Sequence, residues 1–381
     1  MLLSILTSVF VAALSISSTS ASPTTNQTAD LISNSFAGSN LYFLHGLPAN
    51  TQRDYVGTLA GWGVKVVRLW VTGISGNCIK GSTNTVAINQ LEAPGSIGTY
   101  NTSVLAALDA TLEILSDYSI KAIISPHDAG VLNGANGCDA YCKKYKDSDT
   151  FYSSTSAKAD YDNRLAAIFN YESPAFGKKW SQLSDVILAF DIQNEPMIGS
   201  TGKLDDNDPN DWICGRAGVM KGLLGDSSVK VATGGIGGSQ YCCDHEYNVL
   251  EKALYCDAID IVSIHGYMSE ASDWAYFVTG DASVLKKANS TGKHVMIEEW
   301  GVSTSYEDSF DTQVKVFNDA GMPWLYWQVI PGKDQTQDGA LDSCGYDGYE
   351  IGLNSSKGDV AKAIADANTV TAFQSWNGYV Y

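Results

Sequence analysis

Two stretches of the sequence carry side chains suited to acid–base chemistry. Val186–Pro196, VILAFDIQNEP, brings the amide of Asn194 and the carboxyl of Glu195 to the end of an apolar run. Val295–Gly301, VMIEEWG, ends a second apolar run in Glu299 about a hundred residues later. Short apolar runs rich in branched residues read as buried strands, and Pro196 has no N–H with which to extend a ladder, so Glu195 falls at a strand's C-terminal end. Two carboxyl groups at the ends of two strands can divide the cleavage of a sugar acetal between them. One gives a proton to the departing oxygen, and the other attacks the anomeric carbon or activates water there. The plain alternative for either stretch alone is a surface glutamate at the start of a loop. The pair, taken with the polar residues at other strand ends, argues against it. Glu298 serves as an internal comparison: strand alternation is expected to point it away from Glu299, leaving it no catalytic role.

Further strands recur along the chain in a regular rhythm. Apolar runs at Asn40–Leu47, Val64–Trp70 and Lys121–Pro126 precede the strand that carries Glu195, and Val229–Thr233, Ile259–His265, Val295–Trp300 and Trp324–Val329 follow it. Helical patterns lie between them near 53–61, from 101, and at 160–183, 245–255, 272–288 and 307–320, and another near 358–373 follows the eighth strand. Eight strands alternating with helices predict an α/β fold, a (β/α)8 TIM barrel with long loops at its C-terminal face. An open doubly wound sheet is the competing architecture, but His45-Gly46-Leu47-Pro48 after the first strand is not a glycine-rich nucleotide turn. In a barrel the chemistry gathers at the C-terminal ends of the strands. Those ends carry Arg68, His127, Asn194-Glu195, His265 with Tyr267, Glu299 and Trp327. Long loops follow the second, third, fourth and eighth strands on the same face, where they can wall a cleft.

The rest of the sequence bounds the class. Residues 1–21 hold an apolar core and end in small residues, which reads as a secretory signal peptide, leaving 22–381 as one catalytic domain. All eight cysteines lie in that mature part, an even number that suits disulfides in an oxidising compartment. Cys138 and Cys142 are near enough to pair within one loop, and Cys214, Cys242, Cys243 and Cys256 are expected to pair partly among themselves. No CxxC occurs and the histidines lack ligand spacing, so no metal site is expected. Sequons at Asn26, Asn101, Asn289 and Asn354 agree with an extracellular glycoprotein. With 24 basic against 42 acidic residues the net charge is −18, which disfavours nucleic acid and anionic membranes as partners. No segment competes as a membrane span, and a monomer is expected. Twenty tyrosines and nine tryptophans supply rings that stack on sugars as well as rings for a core.

Asn194-Glu195-Pro196, Glu299-Trp300-Gly301, Arg68, His265-Gly266-Tyr267 and Trp327 together resemble glycoside hydrolase family 5, in clan A of the retaining barrel glycosidases. The resemblance runs from about Asn40 to Ala372, and Arg68-Leu69-Trp70 is similar to the Arg-x-Trp of its fungal endo-β-1,4-mannanases. Met197 stands where many mannanases have Arg. The resemblance implies Glu195 as acid/base, Glu299 as nucleophile, Arg68 and Tyr267 as holders of Glu299, and Asn194 as the partner of the sugar 2-hydroxyl. It further implies Trp327 as a stacking floor, Trp70, His127 and His265 in the wall of the site, and no cofactor. The expected substrate is a β-linked polysaccharide, β-1,4-mannan attacked internally. Another β-glycan or an exo-acting enzyme is the alternative, favoured if the loops block the groove, and a carbohydrate-binding barrel without catalysis is the third reading.

Overall fold

The computed structural model describes residues 33–200, 204, 206–239 and 247–380. The signal-peptide reading of residues 1–21, the sequon at Asn26, and Cys242 and Cys243 lie outside them. Eight strands pair in parallel and in sequence order around a closed barrel. They are β1 (Ala37–Asn40), β2 (Val66–Trp70), β3 (Lys121–Ser125), β4 (Ile187–Asp191), β5 (Lys230–Ala232), β6 (Ile261–Gly266), β7 (His294–Trp300) and β8 (Trp324–Tyr326). Helices connect them, among them Ala49–Trp62, Ser103–Asp117, Thr155–Phe169, Trp212–Leu224, Phe310–Asp319 and Val360–Ala367. This is the TIM barrel that the alternation predicted.

The first strand lies upstream of the expected Asn40–Leu47. The apolar residues after Asn40 form a turn and a short 3-10 helix, Leu44–Gly46, buried in the core. The actual β1 is small-residue backbone because β2 and β8 press on it. A Cβ on Gly38 would lie 1.9 Å from the Val66 carbonyl oxygen and 2.6 Å from Leu325. Hydrophobicity alone gives no signal for such a strand. The expected helix at 160–183 is a helix to Phe169, then a turn and a 3-10 segment at Trp180–Gln182. The eighth strand also divides: Val329–Ile330 leaves the barrel and pairs with Ile351–Gly352.

Alternation along the strands layers the barrel's interior. Val66, Ile123, Ala189, Ala232, Ile261, Met296 and Leu325 form an apolar layer closed off by Phe36 and Trp376, whose rings meet edge to face at 5.1 Å. One step further along the same faces the residues become Arg68, Ser125, Asp191, Ser263 and Glu298. The larger core, between barrel and helices, is mainly apolar, with a few paired polar side chains such as Asp109 on Trp180 and Gln313 on Trp274. Within the barrel the polar layer therefore lies toward the C-terminal mouth, above an apolar plug.

Among the described residues three disulfides are present: Cys138–Cys142, Cys214–Cys256 and Cys78–Cys344. The first two agree with the expected local pairings. The third joins the loop after β2 to the loop after β8 across 266 residues. The sequons at Asn101, Asn289 and Asn354 lie on exposed residues.

Candidate active site

Glu195 sits just beyond β4 in a left-handed turn, with φ of 49°. That conformation is unfavourable for a residue with a Cβ, and contacts on both sides hold it. Its N–H donates to the Gly234 carbonyl at 2.7 Å, and a Cβ on Gly234 would lie 2.0 Å from the Gln193 carbonyl oxygen. The glycines after β5 are thus required by the close approach of the turn that presents Glu195.

Glu299 reaches the mouth through an irregularity in β7. The register with β6 shifts so that Ile264 faces Ile297 while His265 faces Glu299, leaving Glu298 as the extra residue of a bulge. Alternation from Met296 sends Glu298 into the barrel, and the bulge then turns Glu299 inward as well. Trp300 consequently points outward, fully buried among Phe310, Phe317, Trp324 and Tyr326. The expectation that Glu298 points away from the site is corrected here. Its carboxylate accepts from Ser263 Oγ at 2.8 Å and from His265 Nε2 at 3.1 Å, and it lies 3.5 Å from Arg68 Nε.

Arg68 and His265 are the two cations of the site, both fully buried. Arg68 donates from Nε to Asp191 and from Nη1 to Glu299 Oε2, each at 2.9 Å, and from Nη2 to Asn194 Oδ1 at 2.7 Å. Burial works against its charge, but Asp191, Glu298 and Glu299 outweigh that and raise its pKa. Asp191 also accepts a short hydrogen bond from Ser125 Oγ. Burial, with repulsion from Glu298, pushes Asp191 up to about 7 against the pull of Arg68.

His265 Nδ1 lies 3.2 Å from Glu195 Oε1 and 3.6 Å from Glu299 Oε2, while Nε2 faces Glu298. With carboxylates against both nitrogens, both carry protons and the ring is an imidazolium. Burial would lower its pKa, yet Glu299, Glu195 and Glu298 raise it to about 10. Glu298 is held low: burial opposes its charge, but Arg68 and His265 outweigh that effect. Glu299 shifts upward, because burial and the Glu195 charge outweigh His265 and Arg68. The Tyr267 hydroxyl donates to Glu299 Oε1 at 2.6 Å, so both carboxylate oxygens of Glu299 are held.

Glu195, His265 and Glu299 offer ligand-type atoms within 4.8 Å of one another, the one such group among the described residues. A protonated imidazole has no lone pair for a metal, so the set fits proton chemistry better than coordination.

Asn194 is fixed on both ends of its amide: Oδ1 accepts from Arg68, and Nδ2 donates to Asp128 Oδ1 at 2.9 Å. One N–H remains for a ligand. Asp128 escaped the sequence reading as a site residue because an Asp after a strand reads equally well as a turn, and its other oxygen does accept from Asn136.

The structure places His127 differently from the expected wall of the cleft. It is 3 % exposed and packs against Tyr141, Phe151 and Tyr161. The Met197 N–H donates to Tyr152 Oη at 2.7 Å, so that hydroxyl gives its own proton to Gln193 Oε1 at 2.8 Å. The Gln193 amide then donates to His127 Nδ1 at 2.8 Å, leaving Nε2–H for Asp139 at 2.9 Å. No ring nitrogen is left for a sugar; His127 instead braces the turn after Glu195.

Trp70 ends β2 and Trp327 directly follows β8, in an aromatic group completed by Tyr42, which the sequence did not single out. Tyr42 stacks on Trp327 at 5.9 Å and 9°, and Trp70 lies 5.3 Å from each. The Trp327 indole N–H donates to Asp347 at 2.6 Å.

Comparison with known proteins agrees with this geometry. A model of the cellulase family, glycosyl hydrolase family 5, matches residues 25–333. No curated protein matches the sequence. Among solved structures, the endo-1,4-β-D-mannanase of Thermotoga petrophila RKU-1 is 20 % identical, with 87 % of this chain and 98 % of that one covered at a TM-score of 0.63. The endo-1,4-β-mannanase of Rhizomucor miehei is 19 % identical over 91 % and 94 % of the two chains, with a TM-score of 0.62. A family 5 mannosidase from Rhizomucor miehei is 14 % identical over 88 % and 93 %, also with a TM-score of 0.62. At these identities the likeness is one of fold.

Proposed function

Because the chain belongs to glycosyl hydrolase family 5, the cellulase family, we propose that it hydrolyses β-linked mannan by double displacement with retention of anomeric configuration. The observation that carries this reading is the facing of Glu195 and Glu299, whose carboxylate oxygens come within 4.8 Å across His265. Carboxyl groups roughly 5–5.5 Å apart leave no room for a water between them and suit direct attack on the sugar.

Glu299 attacks the anomeric carbon as Glu195 protonates the departing oxygen, and Glu195 then takes a proton from the water that releases the sugar. Arg68 and Tyr267 each hold one oxygen of Glu299, which aligns the nucleophile and favours its ionised form against the opposing effect of burial. The free N–H of Asn194 points to the 2-hydroxyl, whose hydrogen bond strengthens as charge develops on the ring. Trp327 supplies the apolar floor, with Trp70 and Tyr42 behind it. His265 is a fixed cation between the two carboxylates, and no step calls for a metal or organic cofactor.

Mannan as the substrate rests on Arg68-Leu69-Trp70, on Glu299-Trp300-Gly301 and on the barrel shared with mannanases. The motifs resemble those of endo-mannanases and argue for attack inside a chain, whereas the loops around Trp327 argue for attack at its end. The deciding measurement is kcat/KM on mannohexaose beside cellohexaose and β-1,3- and β-1,6-glucan oligosaccharides, with the first anomer followed by NMR. A glucan preferred over mannan sinks the substrate, and an inverted first product sinks the mechanism.

A further inference from the structure

The loop after β2 and the loop after β8 are fastened together over the aromatic end of the mouth. The hairpin formed by Ile79–Lys80 and Thr83–Asn84 reaches toward the β8 loop. There Cys78 is bonded to Cys344, and the Ile79 carbonyl accepts from the Ser343 N–H at 3.0 Å. The Ser82 N–H donates to the Leu341 carbonyl at 3.1 Å. Lys80, itself buried, lies 2.8 Å from Glu350 and 3.2 Å from Asp342. A lysine ammonium so far from solvent is retained only where charges of opposite sign hold it, so these contacts form a built joint between the loops.

This joint abuts the floor of the site. Glu350 and Asp347, from the β8 loop, accept from the side chains of Gln328 and Trp327. Tyr42, stacked on Trp327, has its hydroxyl in the field of Lys80, Glu350 and Asp342; burial raises its pKa most, with Lys80 opposing. On the other flank the Tyr349 ring lies 4.4 Å from that of Tyr267 and its hydroxyl 3.0 Å from that of Tyr306. Trp70 and Trp327 each retain only 9 % of their surface.

The direction of the substrate follows from the barrel order. Three strands separate β4 from β8 either way round, so Glu195 and Trp327 stand across the mouth from each other. The proton donor must lie on the leaving-group side of the scissile bond. The sugar attacked by Glu299 therefore lies toward Trp327, and whatever precedes it in the chain runs toward β8, β1 and β2, into the fastened loops.

Resting on the reading of the protein as a retaining β-glycosidase, we infer that the Cys78–Cys344 and Lys80 joint closes the glycone end of the cleft, so that a chain enters with its non-reducing end first and is shortened from that end. Binding energy beyond the cleaved sugar then comes from units on the reducing side.

The test uses the full chain on mannohexaose labelled at its reducing end and on soluble mannan, or on whichever β-glycan of the panel it hydrolyses. The expected result is stepwise loss of short units from the unlabelled end, with a viscosity drop per new reducing end several-fold smaller than for a mid-chain cutter. A Cys78→Ser, Cys344→Ser, Lys80→Met variant should gain mid-chain products while still hydrolysing an aryl glycoside. Should that variant fail to fold, the wild-type product series decides by itself. Mid-chain labelled fragments and a steep viscosity loss from the wild type at the outset overturn the inference and leave the glycosidase reading intact. Absence of hydrolysis on every β-glycan and aryl glycoside overturns the glycosidase reading itself.

Discussion

Glu298→Gln isolates one charge of the site while preserving its shape. In the wild type three carboxylates hold the buried His265 near a pKa of about 10, against an ordinary 6.5. At about 1.4 kcal/mol per unit, that difference corresponds to ~5 kcal/mol in favour of the imidazolium. A glutamine at 298 keeps one oxygen to accept from His265 Nε2 and turns its NH2 to Ser263 Oγ as a donor, and it removes one of the charges. Loss of one close carboxylate lowers a neighbouring cation's pKa by about 1–3 units, or ~1.5–4 kcal/mol. His265 should then titrate within the range in which the enzyme can be assayed. Once neutral, the ring presents a lone pair to Glu195 where it had offered a proton. The expected outcome is an alkaline limb of kcat/KM displaced to lower pH by that amount, with little change on the acid side. NMR of the imidazole nitrogens follows the same titration directly. The other groups around the ring, Glu195, Glu299, Arg68 and Tyr267, are unchanged by the substitution. An unchanged His265 titration together with an unchanged alkaline limb would refute the assignment of Glu298 as the group that keeps His265 charged.

The two glutamates should fail differently. Glu299→Ala should lose activity on every substrate and be rescued by azide as an α-glycosyl product, whereas Glu195→Ala should still react with an activated aryl glycoside and give the β-azide. Opposite anomers would reverse the assigned roles. Gly235→Ala should cost about 2–4 kcal/mol in denaturant unfolding, because the residue has φ of 75° and its Cβ would lie 2.3 Å from the His265 ring. A fully stable variant would contradict that packing. His265 is raised in the folded state, so its stabilisation is complete below about pH 6.5 and is lost as pH rises through about 10. Asp191, raised to about 7, also favours the fold more when protonated. Urea midpoints should accordingly fall from mildly acidic to alkaline pH, and a rise would contradict both shifts. Prolonged EDTA treatment should leave activity intact; its abolition without unfolding would count against the carboxylate mechanism.

The sequence alone determined the barrel and the meeting of Glu195 and Glu299 at its mouth, because both are written in local pattern. Eight apolar runs alternate with helical periods, and in such a barrel the ends of the strands become neighbours whatever the loops do. Arg68, Asn194, His265 and Tyr267 were legible for the same reason, each standing at or near a strand end. What the sequence left open depends on contacts between distant segments. β1 went unrecognised at 37–40 because its requirement is close approach to Val66 and Leu325, which favours small residues over apolar ones. Glu298 was placed on the wrong side because plain alternation separates it from Glu299, whereas a one-residue bulge against β6 turns both inward. His127 had the right residue type at the right strand end, yet Gln193 and Asp139 take both of its nitrogens. Asp128, Tyr42 and Asp347 carry no local signal, since an Asp in a turn and a Tyr in an apolar run have ordinary structural uses. The joint of Cys78 with Cys344 spans most of the chain, and only the barrel, by closing β8 against β1 and β2, brings those loops together.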